Sequence, residues 1–233
     1  MNIEPIAFFR SPFSTKFGIP RQSGLVRGLA GEIVFVPAWQ QVEAVRGLEH
    51  FDYLWLIWEF SMNRGERRGT TVRPPRLGGN ERMGVFATRS PFRPNGLGLS
   101  CVRIIEVVTT GKEAPLIRVE GADLADGTPI YDIKPYVAYA DSRPDARSGF
   151  VDERSWHRLQ VVVPDDLRPR FDADVWAQLE EVLALDPRPP FHHDASRVYG
   201  MPFAGCDVRF RVVDEVLTVT AISDLPLGRN DRK

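Results

Sequence analysis

Cysteine, histidine and lysine are scarce in this chain, and each scarcity removes a class of answer. Only Cys101 and Cys206 are cysteines among 233 residues. They stand far apart, form no CxxC pair and allow one disulfide at most, which predicts two reduced thiols in a cytoplasmic protein and gives a structural zinc site almost no support. There are four histidines, two of them the adjacent His192-His193 behind Pro189-Pro190. Neighbouring side chains on an extended chain point apart, so this pair is not expected to chelate an ion, and no metal site is predicted. No apolar run approaches the roughly 20 residues that cross a bilayer, and Met1-Asn2-Ile3-Glu4-Pro5 leads no basic segment into an apolar stretch, so neither membrane insertion nor secretion is expected. GxGxxG after a strand, GxxxxGK[ST], HExxH and GxSxG are all missing, which takes most of the weight from dehydrogenase, P-loop and hydrolase readings.

What the chain does have is arginine. The net charge is only −1, and Lys+Arg total 30, of which four are lysine. Charge is unevenly spread. From Arg64 to Arg103 nine arginines face only Glu66 and Glu81, a local +7, whereas residues 151–233 hold eleven basic and fifteen acidic side chains, or −4. An anion-binding stripe is the reading this clustering favours; charge alone does not separate RNA from a phosphorylated small molecule. With 43% hydrophobic and 26% charged residues, the chain is expected to fold into one or two globular domains.

Short β-like segments fill the first 140 residues: Ile3–Phe9, Gly31–Val36, Phe51–Phe60, Met83–Thr88, Leu99–Val108, Leu116–Glu120 and Ile130–Val137, enough for a barrel or a sandwich. Ala38–Leu48 is the one helix expected among them. In Phe51–Phe60 both alternating sets are apolar, which predicts a strand covered on both faces. Asp141–Gly149 (DSRPDARSG) reads as a linker, placing a boundary near residue 150. Beyond it, Val175, Trp176, Leu179, Val182 and Leu183 have helical spacing behind a possible N-cap at Asp172, and Cys206–Val213 with Val216–Ile222 forms a hairpin candidate. The predicted fold class is mainly β, with a small α+β unit at the C-terminal end.

Three clusters concentrate chemistry. VRPPRLGGNERMGVFATRSPFRPNGLGLS (72–100) carries Arg73, Arg76, Arg89 and Arg93 on Pro-rich loops that fix guanidinium planes for bidentate contact with phosphate or carboxylate, and its Gly78-Gly79 reads as a turn or a close approach to a ligand. Lys16, Arg21 and Gln22 lie on a long irregular connection. In LADGTPIYDIKPY (124–136), Asp132, Lys134 and Tyr136 alternate on one strand face. They read either as a proton-handling trio or as an ordinary salt-bridged surface, and residue patterns favour the second. No reaction is derivable from these patterns alone.

Taken together, KFGIPRQSGLV (16–26), VRGLEHFDYLW (45–55), the 72–100 stretch and DGTPIYDIKPYVAYADS (126–142) resemble, in order and spacing, the TsaA-like (TrmO) family of S-adenosylmethionine-dependent tRNA methyltransferases. The resemblance covers nearly all of the first 148 residues, and DPRPPF (186–191) and VYGMPF (198–203) extend it more loosely. It implies a single-sheeted β-barrel for residues 1–148 with an accessory α+β domain over 149–233. The implied reaction is methylation of N6 of threonylcarbamoyladenosine at the position 3′ of the anticodon. S-adenosyl-L-methionine is the implied cofactor and a tRNA anticodon stem-loop the implied partner, with a homodimer whose cofactor pocket lies near the subunit contact.

Residue by residue, the resemblance implies that Pro20, Arg21 and Gln22, Arg89, and the Ala125-Asp126-Gly127-Thr128 turn bind the cofactor. Ser61-Met62 stand where the family often has His-Gln, and Gly96 where it has Pro. For catalysis the candidates are Asp132 and Tyr136 as base, with Lys134 tuning a neighbour. Arg64, Arg67 and Arg68, with Arg73 and Arg76, are expected on tRNA phosphates. Arg89 or Arg93 is expected on the threonyl carboxylate, and Phe92 either stacks on the target base or packs under its loop. Two alternatives stand beside this reading: a non-catalytic tRNA- or nucleotide-binding module on the same barrel, and a methyltransferase of another substrate.

Overall fold

The computed structural model describes residues 2–77, 81–153, 157–189, 192 and 194–226. Gly78-Gly79 and His193 lie outside the described residues, as does the side chain of Arg76. Six antiparallel strands close into a barrel in the order β1-β2-β7-β6-β3-β8: β1 (Ala7–Arg10), β2 (Ala30–Phe35), β3 (Tyr53–Glu59), β6 (Leu97–Val108), β7 (Leu116–Glu120) and β8 (Thr128–Pro135). The seam is β8, which pairs with β1 through Ala7↔Ile130 and with β3 through Leu56↔Ile133. Closure leaves no barrel strand with an unpaired edge.

Period-2 alternation places one side chain set inside. Phe9, Ile33, Leu54, Leu56, Val102, Ile117, Val119 and Ile130 are all at most 2% exposed and form one core. Burying side chains of this size is worth about 1.5–3 kcal/mol each, so the alternation decides the register. The pairings make β1, β3 and β7 run in one direction, and their C-terminal connections (11–29, 60–96 and 121–127) therefore emerge at one rim. The 60–96 excursion contains a two-residue ladder, β4 (Thr71–Val72) with β5 (Met83–Gly84).

A second sheet, ordered β10-β11-β12-β9, contains β9 (Gln160–Val162), β10 (Tyr199–Phe203), β11 (Cys206–Val213) and β12 (Val216–Asp224). Helix α3 (Ala173–Ala184) buries Trp176, Leu179, Val182 and Leu183 in the same core as this sheet. Its N-cap is Asp172, whose carboxylate accepts the Val175 amide at 2.8 Å. This core also takes in Phe13, Val26 and Leu29 from the β1–β2 connection. Phe13 meets Phe203 edge-on at 5.2 Å, Phe17 stacks on Phe210 at 6.4 Å, and the Ala204 amide donates to the Pro12 carbonyl at 3.0 Å. Gly18, at φ +91, passes so close to Met201 that a Cβ would stand 2.1 Å from its Sδ. The first 148 residues thus contribute to both cores.

Several sequence expectations change. The outer set of β3 is not covered: Leu54, Leu56 and Trp58 are buried, but Tyr53 is 43% exposed and Trp55 and Ile57 are half-buried. An apolar outer face had looked like core because composition does not say what lies over it. Met83–Thr88 supplies only β5, then turns into a 3-10 segment at Val85–Ala87. The expected helix over 38–48 shrinks to α1 (Val42–Val45) and a 3-10 turn, with Gly47 at φ +91 between them. Only Val45 of α1 is buried, too little apolar stripe for a longer helix. Three short strands, β4, β9 and β10, lie outside the expectation, and α2 (Ala138–Asp141) precedes the exposed 142–148 segment. No helix of the described residues is long and apolar enough to cross a membrane.

Candidate functional site

A cleft of about 1910 Å³ opens at the rim where the three connections converge. The β1–β2 connection contributes Lys16, Pro20, Arg21 and Gln22; the end of β3 and the turn after it contribute Trp58, Glu59, Ser61 and Met62. The long excursion contributes Arg67, Arg68, Arg73, Arg82, Phe86, Arg89, Phe92 and Arg93, and the β7–β8 loop Asp123, Ala125 and Thr128. Among the described residues eight basic side chains line the cleft against two acidic ones, Glu59 and Asp123. Most of the local +7 therefore faces a single concave surface, which attracts anions and polyanions.

Several arginines are already committed to the protein itself. Arg64 does not line this cleft: it grips Glu59 with two hydrogen bonds, 2.7 and 2.5 Å, and borders a small neighbouring hollow. That grip, with the Tyr131 hydroxyl donating to Glu59 at 2.6 Å, lowers the Glu59 carboxyl to about 2, and Arg64 is paired with a carboxylate outside the cleft wall. Arg93 braces its own loop by donating to the Thr88 carbonyl at 3.0 Å, and Arg68 donates to the Pro94 carbonyl. Arg89, by contrast, donates to the Gln22 side chain at 2.7 Å and so joins two of the cofactor-binding candidates across the cleft. Arg67 and Arg73 are exposed on its wall. Phe92 is half-buried in the lining, while Phe86, which the sequence reading had placed inside a strand, is 79% exposed there.

The Ala125–Thr128 turn divides. Ala125 and Thr128 line the cleft, with the Thr128 hydroxyl donating to the Ala125 carbonyl at 2.8 Å. Asp126 and Gly127 face the start of the β1–β2 connection instead. The Asp126 carboxylate accepts the Ser11 amide at 3.1 Å, its amide donates to the Phe13 carbonyl, and Gly127 donates to Phe9. They staple one rim loop to another rather than lining the cleft. Gly96 adopts φ +61, a conformation closed to proline, and its amide donates to Arg93.

Asp132, Lys134 and Tyr136 are not in the cleft. Thr128 begins β8 at the rim, and at about 3.4 Å per residue the strand carries the trio progressively away. Asp132 pairs with Lys134 at 2.9 Å and accepts the Ile133 amide, while Tyr136 packs its ring on Tyr53 and Trp55 at 6.1 Å. The salt-bridged outer face is what the geometry favours.

Besides Glu59, which Arg64 holds, the carboxylate that reaches the cleft among the described residues is Asp123, which is not among the residues expected from the sequence. It accepts the Ser100 hydroxyl at 2.5 Å, and that hydroxyl accepts the Trp58 indole N–H at 2.9 Å. Burial pushes its pKa up to about 6 against the lowering effect of these bonds. Its only sequence signal is its place three residues before the Asp-Gly turn. Trp58 lies flat over Gly98, its cross-strand partner, where a Cβ would sit 2.3 Å from the indole ring.

Comparison with known proteins identifies the family. The tRNA-methyltransferase O N-terminal domain matches residues 8–142 and the TrmO C-terminal domain residues 164–225. The chain is 40% identical over 235 residues to the tRNA (adenine(37)-N6)-methyltransferase of Escherichia coli (strain K12), covering 94% of this chain and 96% of that protein. It is also 40% identical over 216 residues to a putative S-adenosylmethionine-dependent methyltransferase, RcsF, of Pseudomonas aeruginosa PAO1, covering 90% and 91%. A crystal structure of TrmO from Pseudomonas aeruginosa superposes with a TM-score of 0.75 at 33% identity, covering 96% of this chain and 98% of that one. With both halves matched and relatives aligned end to end, the chain belongs to the tRNA-methyltransferase O family.

Proposed function

We propose that this protein is an S-adenosylmethionine-dependent tRNA methyltransferase that methylates N6 of threonylcarbamoyladenosine at position 37, beside the anticodon. The observation that carries it is the rim cleft, with eight cationic side chains against two anionic ones among the described residues, in a chain whose relative from Escherichia coli is named a tRNA (adenine(37)-N6)-methyltransferase. The cleft has room for a nucleoside-sized donor and a flipped base together, and it juxtaposes guanidinium, amide and carboxylate groups suited to a polar zwitterionic ligand.

When bound, S-adenosylmethionine supplies an electrophilic methyl group on sulfur. Pro20, Arg21, Gln22, Arg89, Ala125 and Thr128 hold it against the barrel rim, with Ser61 and Met62 closing one side. The target adenine stacks on Phe86 or Phe92, and Arg67, Arg68, Arg73 and Arg82 take the phosphates of the anticodon stem-loop. Holding the nitrogen about 3–3.5 Å from the methyl carbon, in line with sulfur, supplies much of the rate. The N6–CH3 bond forms as C–S breaks, and the N6 proton leaves to water. Residues 1–148 form the methyltransferase domain and 149–233 an accessory domain that seats the Pro20–Gln22 loop. The half-exposed aromatic face of Tyr53, Trp55 and Tyr136, on the barrel wall away from the cleft, supports a homodimer contact, and the enzyme works in the cytoplasm.

The test is transfer of labelled methyl from S-adenosylmethionine to tRNA with and without the threonylcarbamoyl group, followed by digestion to nucleosides. Label confined to the modified adenosine is expected. Label on plain adenosine, on another molecule, or donor binding without transfer would each refute the assignment.

A further inference from the structure

Asp123 is an unusual carboxylate for its surroundings. It borders the cleft half-buried, yet the groups that hydrogen-bond it are neutral: the Ser100 hydroxyl at 2.5 Å and the Ser23 and Asp123 amides. Arg89 is the cation close enough to act on it, but that guanidinium is turned to Gln22 at 2.7 Å. The position of the carboxylate is fixed from behind, because Ser100 is itself fixed by the buried Trp58 indole at 2.9 Å. Among the described residues no cation is hydrogen-bonded to this carboxylate, which borders the cleft with firm, neutral support.

The neighbouring charges define which cation fits. Asp123 and Arg89 place an anion and a cation side by side on the cleft wall, which is the complement of an α-amino acid head, where ammonium and carboxylate share one carbon. Resting on the methyl-donor reading above, we propose that Asp123 holds the α-ammonium group of S-adenosylmethionine while Arg89 faces its α-carboxylate. The threonyl arm of the substrate offers a carboxylate but no ammonium, so the same pair also directs the two amino acid-like ends to different places in the cleft.

The experiment is calorimetric binding of three ligands to the full chain: S-adenosylmethionine, S-adenosylhomocysteine, and the deaminated analogue 5′-S-(3-carboxypropyl)-5′-thioadenosine. Each is titrated into wild type, Asp123→Asn and Asp123→Ser. Loss of a charge-assisted hydrogen bond is expected to weaken S-adenosylhomocysteine roughly 10- to 100-fold, while the deaminated analogue changes less than about twofold. Equal losses for both ligands would make Asp123 a merely structural residue and overturn the proposal, as would no loss for either. A loss confined to S-adenosylmethionine would place the sulfonium, not the ammonium, at Asp123 and equally overturn it. If wild type bound none of the three, the methyl-donor reading itself would fail, and the proposal with it.

Discussion

Replacing Gly98 with alanine tests how the cleft floor is built. Gly98 faces Trp58 across the β3–β6 ladder, and an added Cβ would stand 2.3 Å from Cε2, 2.5 Å from Cζ2 and 2.7 Å from Cδ2 of the indole. Trp58 has nowhere easy to go. It is 5% exposed, its ring meets Phe60 edge-on at 4.4 Å, and its N–H is bonded to Ser100. Overpacking of this kind costs about 1–3 kcal/mol, and loss of the indole hydrogen bond about 0.5–1.5 kcal/mol more. Alanine in a strand recovers about 0.5–1 kcal/mol. The balance is a destabilisation of about 2 kcal/mol, which for a chain of this size lowers Tm by roughly 4–8 °C. Thermal unfolding by circular dichroism measures it, with Gly84→Ala as control because nothing lies within 4 Å of its Cβ. Because the displaced indole releases Ser100, and Ser100 supports Asp123, S-adenosylhomocysteine affinity should fall in the same variant. An unchanged Tm would show that Trp58 is not held as described, and the reasoning about the floor would go with it.

Glu59 has its carboxyl lowered from 4.5 to about 2, chiefly by Arg64, so its contribution to stability is present above about pH 4.5 and lost as pH falls toward 2. Glu59→Gln should cost about 1–2 kcal/mol at pH 7, allowing for the solvent around Arg64, and flatten the acid limb of a urea-denaturation series; an identical acid limb would contradict this. Asp123 has the opposite sign. Its pKa is raised from 3.8 to about 6, so its ionisation penalises the folded state above pH 6, and the penalty vanishes as pH falls below about 4. Asp123→Asn should therefore be more stable than wild type at pH 7.5, by about 2 kcal/mol, with the gain gone at pH 4; a lower Tm than wild type at pH 7.5 refutes it. Arg67→Ala and Arg73→Ala should each reduce the slope of log affinity for tRNA against log salt by about 1 while leaving S-adenosylhomocysteine binding unchanged, read by filter binding and calorimetry. Asp132→Asn should leave single-turnover methyl transfer at the wild-type rate, since its partner is Lys134; a tenfold slowing would return it to the site.

Much of the fold was legible because it is local. The bounds of Leu116–Glu120 and Cys206–Val213 coincide with the expected strands, and Asp172 caps its helix as its position before an amphipathic run predicts. These features depend on alternation, helical spacing and a capping side chain, all of which act within a few residues. The rim loops were legible too, since long Pro- and Gly-rich connections rarely serve packing alone.

Tertiary structure decided which residues share a space. Asp123 and Asp132 are nine residues apart and look equally suited to chemistry, but one stands at the barrel rim and the other on the outer face of β8 as it runs from that rim. Only the direction of the strand separates them. Arg64 and Arg67 differ by three positions, yet one closes on Glu59 and the other lines the cleft. Phe13 and Phe17 belong by sequence to a barrel loop and by packing to the neighbourhood of Phe203 and Phe210, nearly two hundred residues on. Patterning within the chain fixes what each segment becomes. Which charge finds a partner, and which is left facing a ligand, depends on contacts between distant segments, and those exist only once the barrel has closed.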